Sequence, residues 1–241
     1  MIRIEDLHKR FGDVVAVDGI SFEAPDGQVT GLLGPNGAGK TTTLRMLYGL
    51  MRPDGGRIEV DGAEVSADPQ AAQAKMGILP DSRGLYPRLT PREHLRYFGQ
   101  LHGCADLDAR IDELVQLLDM GAIADRRSEG FSQGERVKTA LGRALVHDPA
   151  NVILDEPTNG LDVMATRAMR GLIRRMREKG KCVLFSSHIM QEVSALCDRI
   201  IIISTGRIVA AGTPDELREQ SGRDNLEDAF VTLTGLDEEN T

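Results

Sequence analysis

Gly34-Pro35-Asn36-Gly37-Ala38-Gly39-Lys40-Thr41-Thr42 fits the spacing G-x-x-x-x-G-K-[ST], and its reading decides the fold. A backbone that curls around phosphate oxygens with its N–H groups inward needs a conformation that side chains block; Gly34, Gly37 and Gly39 permit it. Lys40 supplies a flexible point cation for β- and γ-phosphates, the Thr41 hydroxyl suits Mg²⁺, and Thr42 adds a donor. With four fixed positions, a chance match in a chain this long is on the order of a 1% event. The motif carries meaning between a strand and a helix, because the helix N-terminus adds its dipole to the anion site. Both are expected here. Residues 28–33, Gln-Val-Thr-Gly-Leu-Leu, read as a buried strand, and Leu44, Leu47 and Tyr48 recur at helical spacing before Gly49.

A chain of 241 residues allows one large domain or a domain with a sizeable insertion. A net charge of −8 argues against a nonspecific nucleic-acid binder, whose affinity rests on Lys and Arg at phosphates. Cys104, Cys182 and Cys197 are odd in number and lack metal-ligand spacing, so buried thiols are expected rather than disulfides or zinc. The start, Met-Ile-Arg-Ile-Glu-Asp, alternates like a strand and lacks a signal-peptide pattern, and apolar runs such as residues 200–203 fall far below the roughly 18 needed to span a membrane. Any membrane crossing is expected to belong to another chain.

Residues 1–33 read as short alternating strands separated by Gly12-Asp13, Asp18-Gly19 and Asp26-Gly27, an antiparallel start that Arg57-Ile-Glu-Val60 is expected to join. From about residue 82 to 148 the pattern turns helical. Thr90-Pro91-Arg92-Glu93 opens one helix, Leu107, Ile111, Leu114, Val115 and Leu118 stripe a second, and a third runs from Ser132 to about Val146. The remainder alternates strand and helix, which predicts a parallel sheet with crossovers. Thr213-Pro214-Asp215-Glu216 caps a further helix, and the acidic end at residues 237–241 is expected to fray. Arg167, Arg170, Arg174 and Arg177 lie opposite an apolar stripe and read as a solvated face, the alternative being a face for an anionic membrane surface or partner.

Three further stretches carry chemistry. Val152-Ile-Leu-Asp155-Glu156 is an apolar strand ending in two carboxylates, where open α/β sheets bind ligands. Asp155 suits a Mg²⁺ site through bound water and Glu156 the orientation or deprotonation of an attacking water, against the plain reading of a solvated strand end. His188, after Ser186-Ser187, follows another strand of the same sheet and is expected near the γ-phosphate or that water. Phe131-Ser132-Gln133-Gly134-Glu135 opens a helix either as an S-x-x-E capping box or as a phosphate-binding helix end; both roles stay open.

In this order and at these separations, the pieces resemble the ATP-binding cassette of ABC transporters over essentially the whole chain. The resemblance makes residues 34–41 the Walker A motif, residues 152–156 Walker B with Glu156 as catalytic glutamate, residues 131–135 the signature, Asp162 part of the D-loop, and His188 the H-loop. Phe11 stands where the family stacks adenine, the alternative being an apolar anchor in the first sheet, and Asp81 stands where the family carries a glutamine, so a metal contact there is expected only through water. Gln133 and Glu135 also depart from the family's LSGGQ, placing a carboxylate toward the opposing γ-phosphate unless it folds back as a capping partner. The implied fold is an α/β P-loop NTPase, an ABC ATPase core with an N-terminal antiparallel β subdomain and a helical insertion. Residues 1–241 then form a single ABC ATPase domain: 1–81 and 149–211 the nucleotide-binding core, 82–148 the helical subdomain, and 212–241 a C-terminal helical extension.

The resemblance also implies ATP and Mg²⁺ as cofactors, a homodimer in which the signature of one cassette closes on its partner's ATP, and an integral membrane permease whose substrate this chain does not reveal. The place implied is the cytoplasmic side of the cell membrane, bound peripherally. Gly84-Leu-Tyr-Pro-Arg-Leu-Thr90 and Asp224-Asn-Leu-Glu-Asp-Ala-Phe230 resemble the NatA-like cassettes of ABC-2 type exporters. The competing readings are a soluble ABC ATPase acting on ribosomes or DNA, and an ordinary P-loop kinase or GTPase. The signature, D-loop and H-loop equivalents count against the latter.

Overall fold

The buried run before the glycine loop is a strand in the middle of a six-stranded sheet covered on both faces. The computed structural model describes residues 1–81 and 84–235; the acidic end at 237–241 lies outside them. In chain order, β1 (Ile2–Phe11) and β2 (Val14–Ala24) precede β3 (Val29–Leu33) and α1 (Lys40–Leu47). Then come β4 (Gly55–Val60), β5 (Ala63–Glu64), α2 (Pro69–Gln73) and β6 (Met76–Leu79). The helices α3 (Pro91–Leu101), α4 (Leu107–Leu117) and α5 (Gln133–Leu145) follow, and lead to β7 (Asn151–Asp155), α6 (Val163–Glu178) and β8 (Cys182–Ser187). The chain continues through α7 (Met190–Leu196), β9 (Arg199–Ser204), β10 (Arg207–Gly212), α8 (Pro214–Ser221) and α9 (Leu226–Thr234).

The main sheet runs β10-β9-β3-β8-β7-β6, parallel throughout except for β10, which returns antiparallel to β9. Alternation along its strands divides two cores. Val152, Leu154, Val183, Phe185, Ile200 and Ile202 face the helices, while Ile153, Leu184, Ile201 and Ile203 face α1 and the smaller sheet. Burial on both faces is why these strands read as unbroken apolar runs rather than as half-polar ones. Gly31 in β3 lets α7 approach: a Cβ there would lie 2.5 Å from Cys197 Sγ.

The second sheet, β2-β1-β4-β5, is antiparallel, and β4 joins it as the sequence suggests. One turn reading is corrected. Asp18-Gly19 does not separate two strands; it lies within β2, where the register passes from Leu7↔Ile20 to His8↔Asp18 and Gly19, at φ 75°, is the extra residue of a bulge. The strand therefore bends without ending. The short strand β6, the short helix α2 and the two-residue strand β5 carry too few residues for their periodicity to show in the sequence.

Three helices begin with full capping boxes, at Thr90/Glu93, Ser132/Glu135 and Thr213/Glu216. On α6 the buried stripe is Met169, Leu172, Ile173 and Met176. The arginine face is not simply solvated. Arg170 Nη2 lies 3.8 Å from Glu192, Arg177 Nη1 donates to Asp198 at 2.9 Å, and Arg174 Nη2 reaches the Ala195 carbonyl at 3.4 Å. The face is half-spent on α7 and the chain after it, a placement that the helix's own periodicity cannot reveal. All three cysteines are free; Cys182 and Cys197 are buried, and Cys104 is only half-buried. Among the described residues, no helix is long and apolar enough to cross a membrane.

Candidate functional site

The loop of residues 34–39 leaves the C-terminal end of β3 and enters α1 at Lys40, with Gly39 at φ 105° before the first turn. It is clamped from outside. A Cβ on Gly34 would stand 2.3 Å from the Ile203 carbonyl oxygen, and one on Gly39 would stand 2.5 Å from that of Ala16. Gly206, in the β9–β10 turn, donates its N–H to Ala38 O at 3.0 Å. Thus the loop's shape is fixed by the second sheet and the turn as well as by its own glycines.

Above this loop lies a cleft of about 330 Å³, lined by residues 36–42 together with Ala16, Asp81, Glu156, Asn159 and His188. The ends of β3, β6, β7 and β8 thus converge on one space, as expected for the carboxyl ends of strands in an open α/β sheet. Lys40 is buried, and its Nζ donates to the Gly34 and Pro35 carbonyls at 2.6 and 3.1 Å. Burial holds its ammonium below the ordinary lysine range, against the opposing pull of Glu156 and Asp155.

Asp155 is buried at the end of β7, and burial, reinforced by Asp81 and Glu156, raises its carboxyl above the usual range. Ser186 Oγ donates to Asp155 Oδ1 at 2.6 Å and accepts the Glu156 N–H at 3.0 Å. One hydroxyl therefore sets both acids. Glu156 itself has a left-handed backbone, φ 47°, and its carboxylate meets His188. His188 Nδ1 and Glu156 Oε2 are 2.9 Å apart; a carboxylate only accepts, so Nδ1 carries the proton of this bond.

The other expected site residues lie elsewhere. Phe11 ends β1 half-exposed, 5.7 Å from the Lys9 ammonium, and does not line the cleft, whereas Ala16 of β2 does. Asp162 caps α6, its Oδ1 accepting from Ala165 N–H at 2.8 Å. Ser132, Gln133, Gly134 and Glu135 open α5 away from the cleft. There Gln133 packs on Gly160, 3.3 Å from where a Cβ would stand, so the start of α5 touches the turn before α6. Glu135 folds back: Oε2 accepts the Ser132 N–H at 2.8 Å and Oε1 accepts from Arg126. These bonds keep its carboxyl below the usual range, the Ser132 N–H contributing most. The sequence reading gave no site role to Ser186 or Ala16 and placed Asn159 only in the D-loop stretch of residues 159–162; Ser186, two residues before His188 at a strand end, left a signal.

Residues 17–159, more than half of the chain, match the family model described as ABC transporter. The chain belongs to the ABC transporter family. This ABC chain is 41% identical over 239 residues to the ABC transporter ATP-binding protein NatA of Bacillus subtilis (strain 168), covering 96% of the chain and 97% of that relative. It is 37% identical to the linearmycin resistance ATP-binding protein LnrL of the same organism, over 99% of the chain and 76% of the relative. The Nod factor export ATP-binding protein I of Burkholderia lata is 40% identical over 90% of the chain and 72% of the relative. A solved ATP-binding subunit of an ABC transporter superposes with a TM-score of 0.91 at 30% identity, covering 97% of this chain and 99% of that one. A dimeric bacterial ABC transporter cassette, 23% identical with a TM-score of 0.80, covers 88% of the chain and 98% of its own, and shares the fold. The cassette described here is therefore an ATP-binding and ATP-hydrolysing motor subunit of an ABC transporter.

Proposed function

We propose that two copies of this cassette close head to tail over two molecules of Mg·ATP and drive an ABC-2 type exporter permease. The observation that carries the reading is the 2.9 Å contact between His188 and Glu156 at the mouth of the Lys40 loop, with Ser132 and Gly134 outside the same cleft. One copy supplies a phosphate cradle and a base, but its signature serves only a second copy.

The loop residues Gly34, Pro35, Asn36, Gly37, Ala38, Gly39, Lys40, Thr41 and Thr42 hold the phosphates, and Lys40 exchanges its loop carbonyls for phosphate oxygens. Phe11 flanks the adenine. No group of three or more His, Cys, Asp or Glu able to hold a metal occurs among the described residues. That suits Mg²⁺, which uses one or two carboxylates, phosphate oxygens and water. The Thr41 hydroxyl and Asp155 would hold it, with Asp81 through water; bound there it neutralises phosphate charge, and its field relieves the crowding of Asp81, Asp155 and Glu156. Glu156 accepts a proton from the attacking water while His188 orients its carboxylate and closes the γ-phosphate end. Ser132, Gln133 and Gly134 approach the partner's ATP, and the Arg126 contact offsets the Glu135 charge there. Asp162 fixes the D-loop at the start of α6.

Residues 82–148 act as the helical subdomain that swings on closure, between a core of residues 1–81 and 149–211 and an extension of residues 212–241. A recess of about 620 Å³ bounded by Tyr86, Pro87, Arg88, Leu89 and Tyr97, with Tyr86 and Tyr97 exposed, suits a docking helix of the permease. The motor then sits peripherally on the cytoplasmic face of the membrane. The Nod factor export relative supports this direction of transport.

The test is Glu156→Gln. It is expected to bind Mg·ATP and run as a dimer in size exclusion, with turnover reduced at least about 100-fold. Wild-type turnover would overturn the base assignment, and a monomer in saturating Mg·ATP the shared-site reading.

A further inference from the structure

The turn after β7 carries Glu156 at one end and the D-loop at the other. A left-handed backbone at a glutamate is strained and persists only where the surroundings impose it. Two backbone bonds close the turn: Asn159 N–H to Glu156 O at 3.2 Å and Leu161 N–H to Thr158 O at 3.1 Å. The Thr158 side chain leaves the turn, and its Oγ1 donates to Glu192 Oε2 at 2.5 Å. Both residues are shut off from water, Thr158 at 6% and Glu192 at 3% exposure.

The same Glu192 Oε2 lies 3.5 Å from Ser187 Oγ, which accepts the Ile189 N–H at 3.0 Å and so folds the chain around His188. From α6, Arg170 Nη2 stands 3.8 Å from Glu192 Oε1, while Arg170 Nε is buried with no partner among the described residues. A buried carboxylate carries a desolvation penalty, so stability alone favours an apolar residue here. An acid in the first turn of α7 could complement the helix dipole from the surface at no such cost.

We propose that Glu192 is a positioning residue for ATP hydrolysis, its buried carboxylate joining the Glu156 turn, through Thr158, to the His188 loop, through Ser187. It thereby maintains the Glu156–His188 contact and couples it to α6, which begins at the D-loop. This rests on the roles given above to Glu156 and His188.

The experiment compares purified Glu192→Gln, Thr158→Val and Thr158→Ser with wild type for turnover, nucleotide affinity and thermal midpoint. A misplacement of about 1 Å costs about 100-fold in rate, so Glu192→Gln and Thr158→Val are expected to lose about 10- to 100-fold in kcat, with nucleotide affinity held within about twofold. Thr158→Ser retains the hydroxyl and is expected to keep near wild-type kcat. The double variant Glu192→Gln/Thr158→Val is expected to fall no further than the worse single one. The proposal is overturned by wild-type kcat in both single variants, by loss of affinity and midpoint in step with kcat, or by Thr158→Ser as slow as Thr158→Val. Should Glu192→Gln not fold, the Thr158 pair decides alone. Glu156→Gln in the same series separates the two readings. If it is inactive while Glu192→Gln is fully active, positioning fails and the base stands; if Glu156→Gln is fully active, the base assignment itself fails.

Discussion

Mild acid is expected to loosen the seam between the helical block and the main sheet, through His147. This residue follows α5 and stacks on His102, the C-terminal cap of α3, with ring centroids 3.8 Å apart and planes 4° from parallel. Its Nε2 bonds the Met76 carbonyl in β6 at 3.1 Å, so Nδ1 is the site left for a second proton. Nδ1 is buried without a partner among the described residues. Burial first, then His102 and Lys181, push His147 down to about 4, with Asp148 and the Met76 carbonyl opposing; burial lowers His102 as well. The unfolded chain therefore takes up this proton first. Stability is complete above the ordinary value of 6.5 and is lost as pH falls toward the folded value. At pH 5 the linkage amounts to about 2 kcal/mol, which solvent screening of a half-buried ring reduces to about 1 kcal/mol. In a chain of this size that is about 2–4 °C in thermal midpoint. The assay is thermal unfolding of wild type and His147→Gln at pH 7.5 and 5.0, since the amide retains a donor for Met76. Wild type is expected to lose that much more than the variant. Equal losses in the two proteins would refute the reasoning.

Three further outcomes are expected. Gly34→Ala places a Cβ 2.3 Å from a β9 carbonyl and is expected to lower the nucleotide-free unfolding midpoint, whereas Gly134→Ala, with nothing within 4 Å, leaves it unchanged; equal midpoints would remove the clash argument. Asp155 sits above the usual carboxyl range, so its pH effect has the opposite sign to that of His147: stability rises as pH falls through its value. Asp155→Asn is expected to raise the nucleotide-free midpoint at pH 7 and to abolish the extra stabilisation that Mg²⁺ adds to ATP, both read by thermal shift. Ser132→Ala removes a helix cap, costing about 1 kcal/mol, and is expected to lower ATP turnover by far more than that destabilisation explains while the nucleotide affinity of one copy is retained, checked by steady-state assay and equilibrium binding.

What the sequence determined by itself was governed by neighbours a few residues apart. The glycine loop, the three capping boxes and the apolar strands ending at Leu33, Asp155 and Ser187 are local patterns whose physics is complete within one turn or one strand. They sufficed for the α/β architecture, the cradle and the acids of the site. What lies between distant strands was illegible. That Asp18-Gly19 is a bulge depends on pairing with β1, and the α6 arginines found their partners only once α7 was packed on them. Ser186 bridges two acids 30 and 31 residues away because β7 and β8 are adjacent and in register, Asp155 opposite Ser186. Nothing in the sequence singles out Glu192. Only tertiary packing buries its carboxylate against Thr158 and Ser187, because strand order, and not chain order, determines which side chains share a space.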